Sequence, residues 1–464
     1  MQNNSKNALI ITLGTRDVQI DLNVLKEKFP EEYKNIIYEK SNTLLARHAG
    51  EHIHKHFQEL QKHLSFPIIQ PTLEYLEGKA EHIDFILLIA TDQEKPHQND
   101  TCFYAEIIKR HLITKHTSLV KKVEIFKVKS NEVTYLDKMY SYFSGTIPVQ
   151  KHFKELSEHE NIYLHLVGGI DAVNNAIRFN AIQFFGTKIK AELHVNEETK
   201  SAVPVHSVRN FLQQNDINTA QKMIQNYFYE GISSLNFISE DIKNFSLYVQ
   251  HRLMFDFKKA KSFLSDLQES SVRDVHLKYM DTFKKEDKTL FLKELFWNTH
   301  LKYIQKNYVD FLLRFFRLVE EFLIQEVLKI INITYEERNW GENFKKYLAD
   351  CPQMKSWLEQ KDVKYNTEAP STYLLRHILQ FLTENNQYPK DDYEKISHLY
   401  DLKEMRNKGI GAHSFDPPDE REIKKIYETK GVCDWLKVKL GIDNEPNPFD
   451  EINTHFQKLL NQKK

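Results

Sequence analysis

The spacing of apolar residues changes part-way along this chain, and no other feature constrains the fold as much. Up to about residue 198, short β-rich runs recur at 8–13, 85–90, 123–128, 162–167 and 191–195. Several are near-continuous Ile, Leu and Val, the pattern of strands buried on both faces of a parallel sheet. Helix-like segments fill the intervals at 43–64, 102–116 and 171–184. Such alternation predicts an α/β, Rossmann-like N-terminal domain. Strand signals then stop. Gly and Pro together number 26 of 464 residues, roughly half the usual share of about 12%, so the remainder should be all-α. The polar segment 196–207, NEETKSAVPVHS with Pro204, reads as a linker. Further on, Tyr308, Phe311, Leu312, Phe315, Val319, Phe322, Leu323 and Ile330 follow the i, i+3, i+4, i+7 spacing of one long helix. That aromatic stripe suits a core or a dimer interface better than a cofactor box. The expected division is an α/β domain at 1–198, a helical connecting region at 199–290 and an all-α domain at 291–464.

Composition excludes several classes. Lys+Arg is 64 against Asp+Glu 65, a formal charge of −1, so the chain is neither a strongly basic nucleic-acid coat nor an acidic tail. With 41% hydrophobic residues it is not a disordered chain. Its cysteines, Cys102, Cys351 and Cys433, are far apart. They form no disulfide framework or zinc cluster and fit a reducing, cytoplasmic setting. The polar start reads without a secretory signal. The most apolar later stretch, 308–330, carries Asp310, Arg314, Arg317, Glu320, Glu321, Glu326 and Lys329, which speaks against a membrane span.

Three strand ends carry small polar residues. The first run leads into Gly14, Thr15, Arg16 and Asp17, the second into Thr91, Asp92 and Gln93. The fourth leads into Gly168 and Gly169, followed by IDAVNNAI with Asn174. In open α/β sheets ligands bind at the carboxyl edge of the strands. Glycines there allow a tight turn and close backbone approach, and a following helix N-terminus favours an anion. Each feature alone is an ordinary turn; together they suggest one phosphate-bearing ligand. Neither G-x-G-x-x-G with a downstream acid nor G-x-x-x-x-G-K-[ST] occurs, so dinucleotide and Walker-type binding are not expected. His48, His52 and His56, with His54 beside them, would share one face of a continuous helix. No carboxylate or cysteine joins them at ligand spacing. A solvated face is the better reading, and no metal site is expected.

Near the C-terminus, 402–415 reads LKEMRNKGIGAHSF, with Arg406, Asn407 and His413 in an R-N-x5-H pattern. Metal-independent RNA cleavage needs proton transfer at the 2′-hydroxyl and the leaving 5′-oxygen, and positive charge at the crowded phosphate. Histidine suits the first and arginine the second. If helical, the seven residue steps from one to the other turn through about 700°, within roughly 20° of two full turns. Both side chains would then face the same way. Gly409 and Gly411 work against an unbroken helix, and Asp416-Pro417-Pro418 ends it. Spacing alone is weak, since Arg47 with His52 and Arg110 with His116 also satisfy it. The position late in a helical domain, the Asn after the Arg and the following stop distinguish Arg406 and His413.

With GTRD, ATDQ and VGGIDAVNNAI ahead of a helical region and RNKGIGAH, the chain resembles the type III CRISPR-associated CARF–HEPN ancillary ribonucleases (Csm-type). The resemblance spans nearly the whole sequence. It implies a CARF-like ligand-sensing domain at 1–198 and a HEPN-like ribonuclease domain at 291–464. It assigns Gly14, Thr15, Arg16, Thr91, Asp92, Gln93, Gly168, Gly169 and Asn174 to the binding of cyclic tetra- or hexa-adenylate. It further implies a homodimer, allosterically activated by that ring in antiviral defence. Single-stranded RNA would be cut at a composite site with Arg406 and His413 from each subunit, Asn407 beside them. Products would carry 2′,3′-cyclic phosphates, with no metal or other cofactor. Two alternatives stay open: a non-catalytic sensor or dimerisation protein, and a CARF-domain ring nuclease that degrades its own activator.

Overall fold

The computed structural model describes residues 6–38, 41, 43–196, 198–283, 288–333, 340–363, 371–408 and 417–461, without the side chains at 403, 404 and 406–408. It divides into two compact units, Met1–Asp216 and Ile217–Lys464.

In the first unit, the near-continuous aliphatic runs become β1 (Asn7–Thr12), β2 (Ile83–Thr91), β3 (Val120–Val128), β4 (Asn161–His165) and β5 (Ile189–Val195). With β6 (Ala202–Val205) they form one sheet in the order β6-β5-β4-β1-β2-β3. β1 to β5 pair in parallel, with Ala8 opposite both Phe85 and Ile162. Side chains alternate across the sheet, and both faces are buried. Leu9, Ile11, Ile86 and Leu88 enter one core, with helices Ala46–Lys55 and Cys102–Lys115 packed over it. Ala8, Ile10, Phe85, Leu87 and Ile89 enter the other, under helices Leu136–Gly145, Ile147–Leu156 and Asp171–Phe185. Two covered faces explain why these strands read as apolar runs.

Two expectations need correction. The segment expected as a linker holds β6, which pairs antiparallel with β5, Ala202 opposite Val195 and Pro204 opposite Leu193. β6 is the edge strand, where a proline can leave its missing N–H pointing away from the ladder. The helix expected over 43–64 breaks at His56, which caps Ala46–Lys55; helix Phe57–Leu60 and a 3-10 turn at Gln61–His63 follow. There the His56 ring packs on Phe29 and His52, centroids 4.6 and 4.7 Å away. His48 is exposed.

The second unit is helical throughout its described residues, with one hydrophobic core drawn from Ala220 to Leu460. The predicted long helix is Tyr308–Ile330, capped by the Asn307 side chain, which accepts the Asp310 N–H. Its aromatic stripe is core: Phe311, Phe315 and Phe322 are all buried. Inside this unit a bidentate ion pair is fully enclosed. Arg252 donates from Nε and Nη2 to the two Glu294 carboxylate oxygens at 2.7 and 2.8 Å. Tyr279 donates to Glu294 at 2.8 Å, and the Tyr248 hydroxyl accepts from Arg252 at 3.1 Å and meets His276 Nδ1 at 3.2 Å. The network ties helices Glu240–Leu253, Ser270–Asp281 and Lys288–Ile304 together.

Candidate functional site

The order of strands in the first unit creates a crevice. β1 lies between β2 and β4, and the chain crosses from β3 back past β1 to begin β4. The sheet's winding direction reverses there, and at such a switch point the carboxyl-end loops diverge and leave a ligand cleft. The loops after β1 and β4 carry Gly14 and Gly168–Gly169. They approach so closely that a Cβ on Gly14 would stand 2.5 Å from the Gly169 nitrogen. A Cβ on Gly168 would stand 2.6 Å from the Thr12 carbonyl and 2.5 Å from an Asp17 carboxylate oxygen. Gly169 adopts φ +87°, a conformation that favours glycine. Thr12 secures the contact by donating its hydroxyl to the Gly168 carbonyl at 2.8 Å.

Helix Asp171–Phe185 starts directly after these glycines. Its N-cap, Ile170, offers no side-chain cap, so the first-turn N–H groups stay open at the crevice. Asn174 is buried one turn in, and its Oδ1 has no hydrogen-bond partner among the described residues. Thr15 and Arg16 are exposed on the facing loop. Gly14, Thr15, Arg16, Gly168, Gly169 and Asn174 thus come from two adjacent strand ends.

Thr91, Asp92 and Gln93 end the next strand, β2, but all three side chains already have partners, the Thr91 hydroxyl accepting the Thr101 N–H at 3.2 Å. Asp92 accepts from Arg47 Nη1 at 3.0 Å and from the Lys129 ammonium. Burial works against its charge, yet Lys129 and Arg47 outweigh burial and hold the carboxyl below the usual range. Gln93 donates to Asp100 at 3.0 Å. Asp100 is the fully buried node of this loop. It also accepts from Arg47 Nη1 at 2.9 Å and from the His97 N–H at 2.9 Å. Thr101 closes the loop, its hydroxyl accepting the Thr91 N–H at 3.1 Å. The sequence reading passed over Arg47, Asp100, Thr101 and Lys129. The loop itself was legible as a turn, since 94–101 is EKPHQNDT.

In the second unit, helix Lys390–Lys408 carries Arg406 and Asn407 in its last turn. Ile396, Leu399 and Leu402 anchor it to the core. At its start Asp392 accepts from Trp435 Nε1 at 2.7 Å and Lys439 Nζ at 2.5 Å. The side chains of Arg406 and Asn407, and all of His413, lie outside the described residues.

One further cluster has metal-ligand composition: Glu124, His152 and Glu155. Lys122 Nζ already bridges the two carboxylates, at 2.7 Å from Glu124 and 2.5 Å from Glu155, and supplies the positive charge a metal would bring. Among the described residues no helix is long and apolar enough to cross a membrane.

Comparison with known proteins adds three findings. Residues 280–433 match the family model described as the Csm6 HEPN domain, a span that includes Arg406, Asn407 and His413. A search of curated proteins finds no significant match. Among solved structures the fold matches that of Enterococcus italicus Csm6 bound to cyclic hexa-2′-fluoro-hexa-dAMP. The TM-score is 0.59 at 11% identity, over 98% of this chain and 100% of that one.

Proposed function

From a Csm6-like chain, an α/β unit followed by helices that include a Csm6 HEPN domain, we propose a cyclic-oligoadenylate-activated, metal-independent endoribonuclease. It acts on single-stranded RNA as a homodimer in type III CRISPR antiviral defence. The observation that carries this reading is the family match over 280–433, because it encloses the Arg406–His413 pair. The glycine-lined crevice of the α/β unit supports the sensor half. The hexameric ring held by the E. italicus protein makes cyclic hexa-adenylate the first ligand to test.

In the proposed reaction the RNA 2′-oxygen attacks the adjacent phosphorus while its proton is removed. The bond to the 5′-oxygen breaks, and that oxygen receives a proton. The products are a 2′,3′-cyclic phosphate and a 5′-hydroxyl. His413 serves proton transfer, the role that suits an imidazole near neutral pH. Arg406 places its fork on the phosphate oxygens as negative charge builds. Two copies of the pair at the dimer axis supply separate groups for taking up and releasing protons.

The test is cleavage of a labelled single-stranded RNA in EDTA, with and without cyclic tetra- or hexa-adenylate. The expected result is ring-dependent cleavage in EDTA that leaves cyclic phosphate ends. A requirement for divalent metal, or cleavage indifferent to both rings, overturns it. The crevice has its own test. Gly168→Ala drives a methyl against the Thr12 carbonyl, a backbone atom that cannot turn aside. Overpacking of about 1–3 kcal/mol should weaken ring binding about tenfold, measured by calorimetry. Gly145→Ala, where a Cβ meets nothing within 4 Å, should bind as the parent does.

A further inference from the structure

Asp17 closes the Gly14–Asp17 turn, and its side chain is fully buried. Oδ2 accepts the Gly14 N–H at 2.6 Å, which holds that turn against the carboxyl. The same oxygen lies 2.5 Å from the point where a Cβ on Gly168 would stand. One carboxyl is therefore the floor under both glycine turns of the crevice. Its other oxygen, Oδ1, has no hydrogen-bond partner among the described residues.

A buried carboxylate with one N–H donor and no cation is poorly stabilised in its ionised form. Burial pushes the Asp17 carboxyl up to about 7, against the downward pull of the Gly14 N–H. The titratable group that faces it, among the described residues, is the buried Tyr104 hydroxyl from helix Cys102–Lys115. That hydroxyl is itself held in its neutral form, chiefly by burial and then by Asp17. Arg16, the neighbouring cation, is exposed.

We propose that Asp17 is the positioning residue of the cradle, and that the cyclic oligoadenylate binds the form of the protein in which this carboxyl is neutral. The inference rests on the reading of the crevice as a cyclic-oligoadenylate site. A phosphate seated on the Gly14 and Gly168 backbone stands close to this carboxyl, with little solvent between to screen like charges. The neutral carboxyl keeps an oxygen for the Gly14 N–H and removes the repulsion. Ring binding above neutral pH then takes up one proton from solvent onto Asp17 at each site.

The experiment is direct binding of cyclic hexa-adenylate at pH 6 and pH 8 to the parent protein, Asp17→Asn and Asp17→Ala. A group that titrates near 7 when free and stays protonated in the complex weakens parent binding about tenfold from pH 6 to pH 8. Asp17→Asn keeps the oxygen acceptor without the charge. Its affinity should change less than about twofold over the same range and exceed the parent's at pH 8. Asp17→Ala, lacking the acceptor, should bind more weakly than Asp17→Asn at both pH values. Equal pH dependence in the parent and Asp17→Asn, or a flat profile in the parent, overturns the proposal. Melting curves at pH 5 and pH 8 separate its failure from failure of the underlying reading. If neither parent nor Asp17→Asn binds the ring, the coupling falls together with the cyclic-oligoadenylate assignment. A melting-temperature gain for Asp17→Asn confined to pH 8 would then show the buried carboxyl intact and place the error in the ligand.

Discussion

Arg406→Ala combined with His413→Ala should lower ring-stimulated RNA cleavage at least about a thousandfold, while cyclic hexa-adenylate still binds at parental affinity. Proton transfer by a placed histidine contributes on the order of 10²–10⁴, and an electrostatic donor on the developing charge about 10²–10³. Groups that act in one step are strongly non-additive, so either single change should cost nearly as much as both. Arg406→Lys should recover only part of the rate, because an ammonium keeps the charge but lacks the two-pronged fork. Single-turnover cleavage at saturating ring is the measurement. Undiminished cleavage by the double variant would remove the pair from the mechanism and place the cleavage on other residues.

Glu294→Ala should destabilise the helical unit by about 3–5 kcal/mol, because it leaves the Arg252 charge enclosed and unpaired. Arg252 is 1% exposed and Glu294 0%, so water cannot take over the lost partner. For a unit of this size the loss corresponds to a melting-temperature drop of roughly 10 °C. Arg252→Met together with Glu294→Leu should regain most of it, since filling the site with apolar groups removes both desolvation penalties. A double variant no more stable than Glu294→Ala would show that the pair is a net contributor and not merely costly to break. The same network should make the unit acid-labile. Burial, then Arg252 and His455, push His276 down to about 3. The folded form therefore stays neutral while the unfolded chain takes up a proton below about 6.5. Stability then falls as pH drops from about 6.5 towards 3, by roughly 1.4 kcal/mol per unit at most. Chemical unfolding at pH 7 and pH 5 reads this directly.

Asp17 works in the opposite sense. Its folded carboxyl titrates near 7 against an ordinary 3.8, so the neutral form is the stable one in the fold. Stability from this group is complete below about pH 4 and is lost as pH rises towards about 7. The two units should therefore respond to pH with opposite slopes, the helical one failing first in acid.

The five runs of Ile, Leu and Val, and the long aromatic helix, were readable because burial on a strand or helix face is recorded in local spacing. β6 was missed because its four residues, with a proline among them, carry no such spacing; β5 supplies the pairing that makes them a strand. The break at His56 was missed for a similar reason. The contact that accompanies it comes from Phe29, far back in the chain. In the crevice, Gly14 and Gly168–Gly169 announced themselves as turns at strand ends. The partners of Asp92 did not, because Arg47 and Lys129 stand 45 and 37 positions away.

Apart from β6 and the break at His56, local periodicity and turn chemistry settled which of the main segments are strands, which are helices, and where the chain turns sharply. Strand order settled the rest. Placing β1 between β2 and β4 brings Gly14 against Gly169 across more than 150 residues and seals Asp17 beneath them. A carboxyl at a turn is ordinary in sequence. It becomes a buried group titrating near neutrality only when distant backbone excludes water from it, and that exclusion is a property of the assembled sheet.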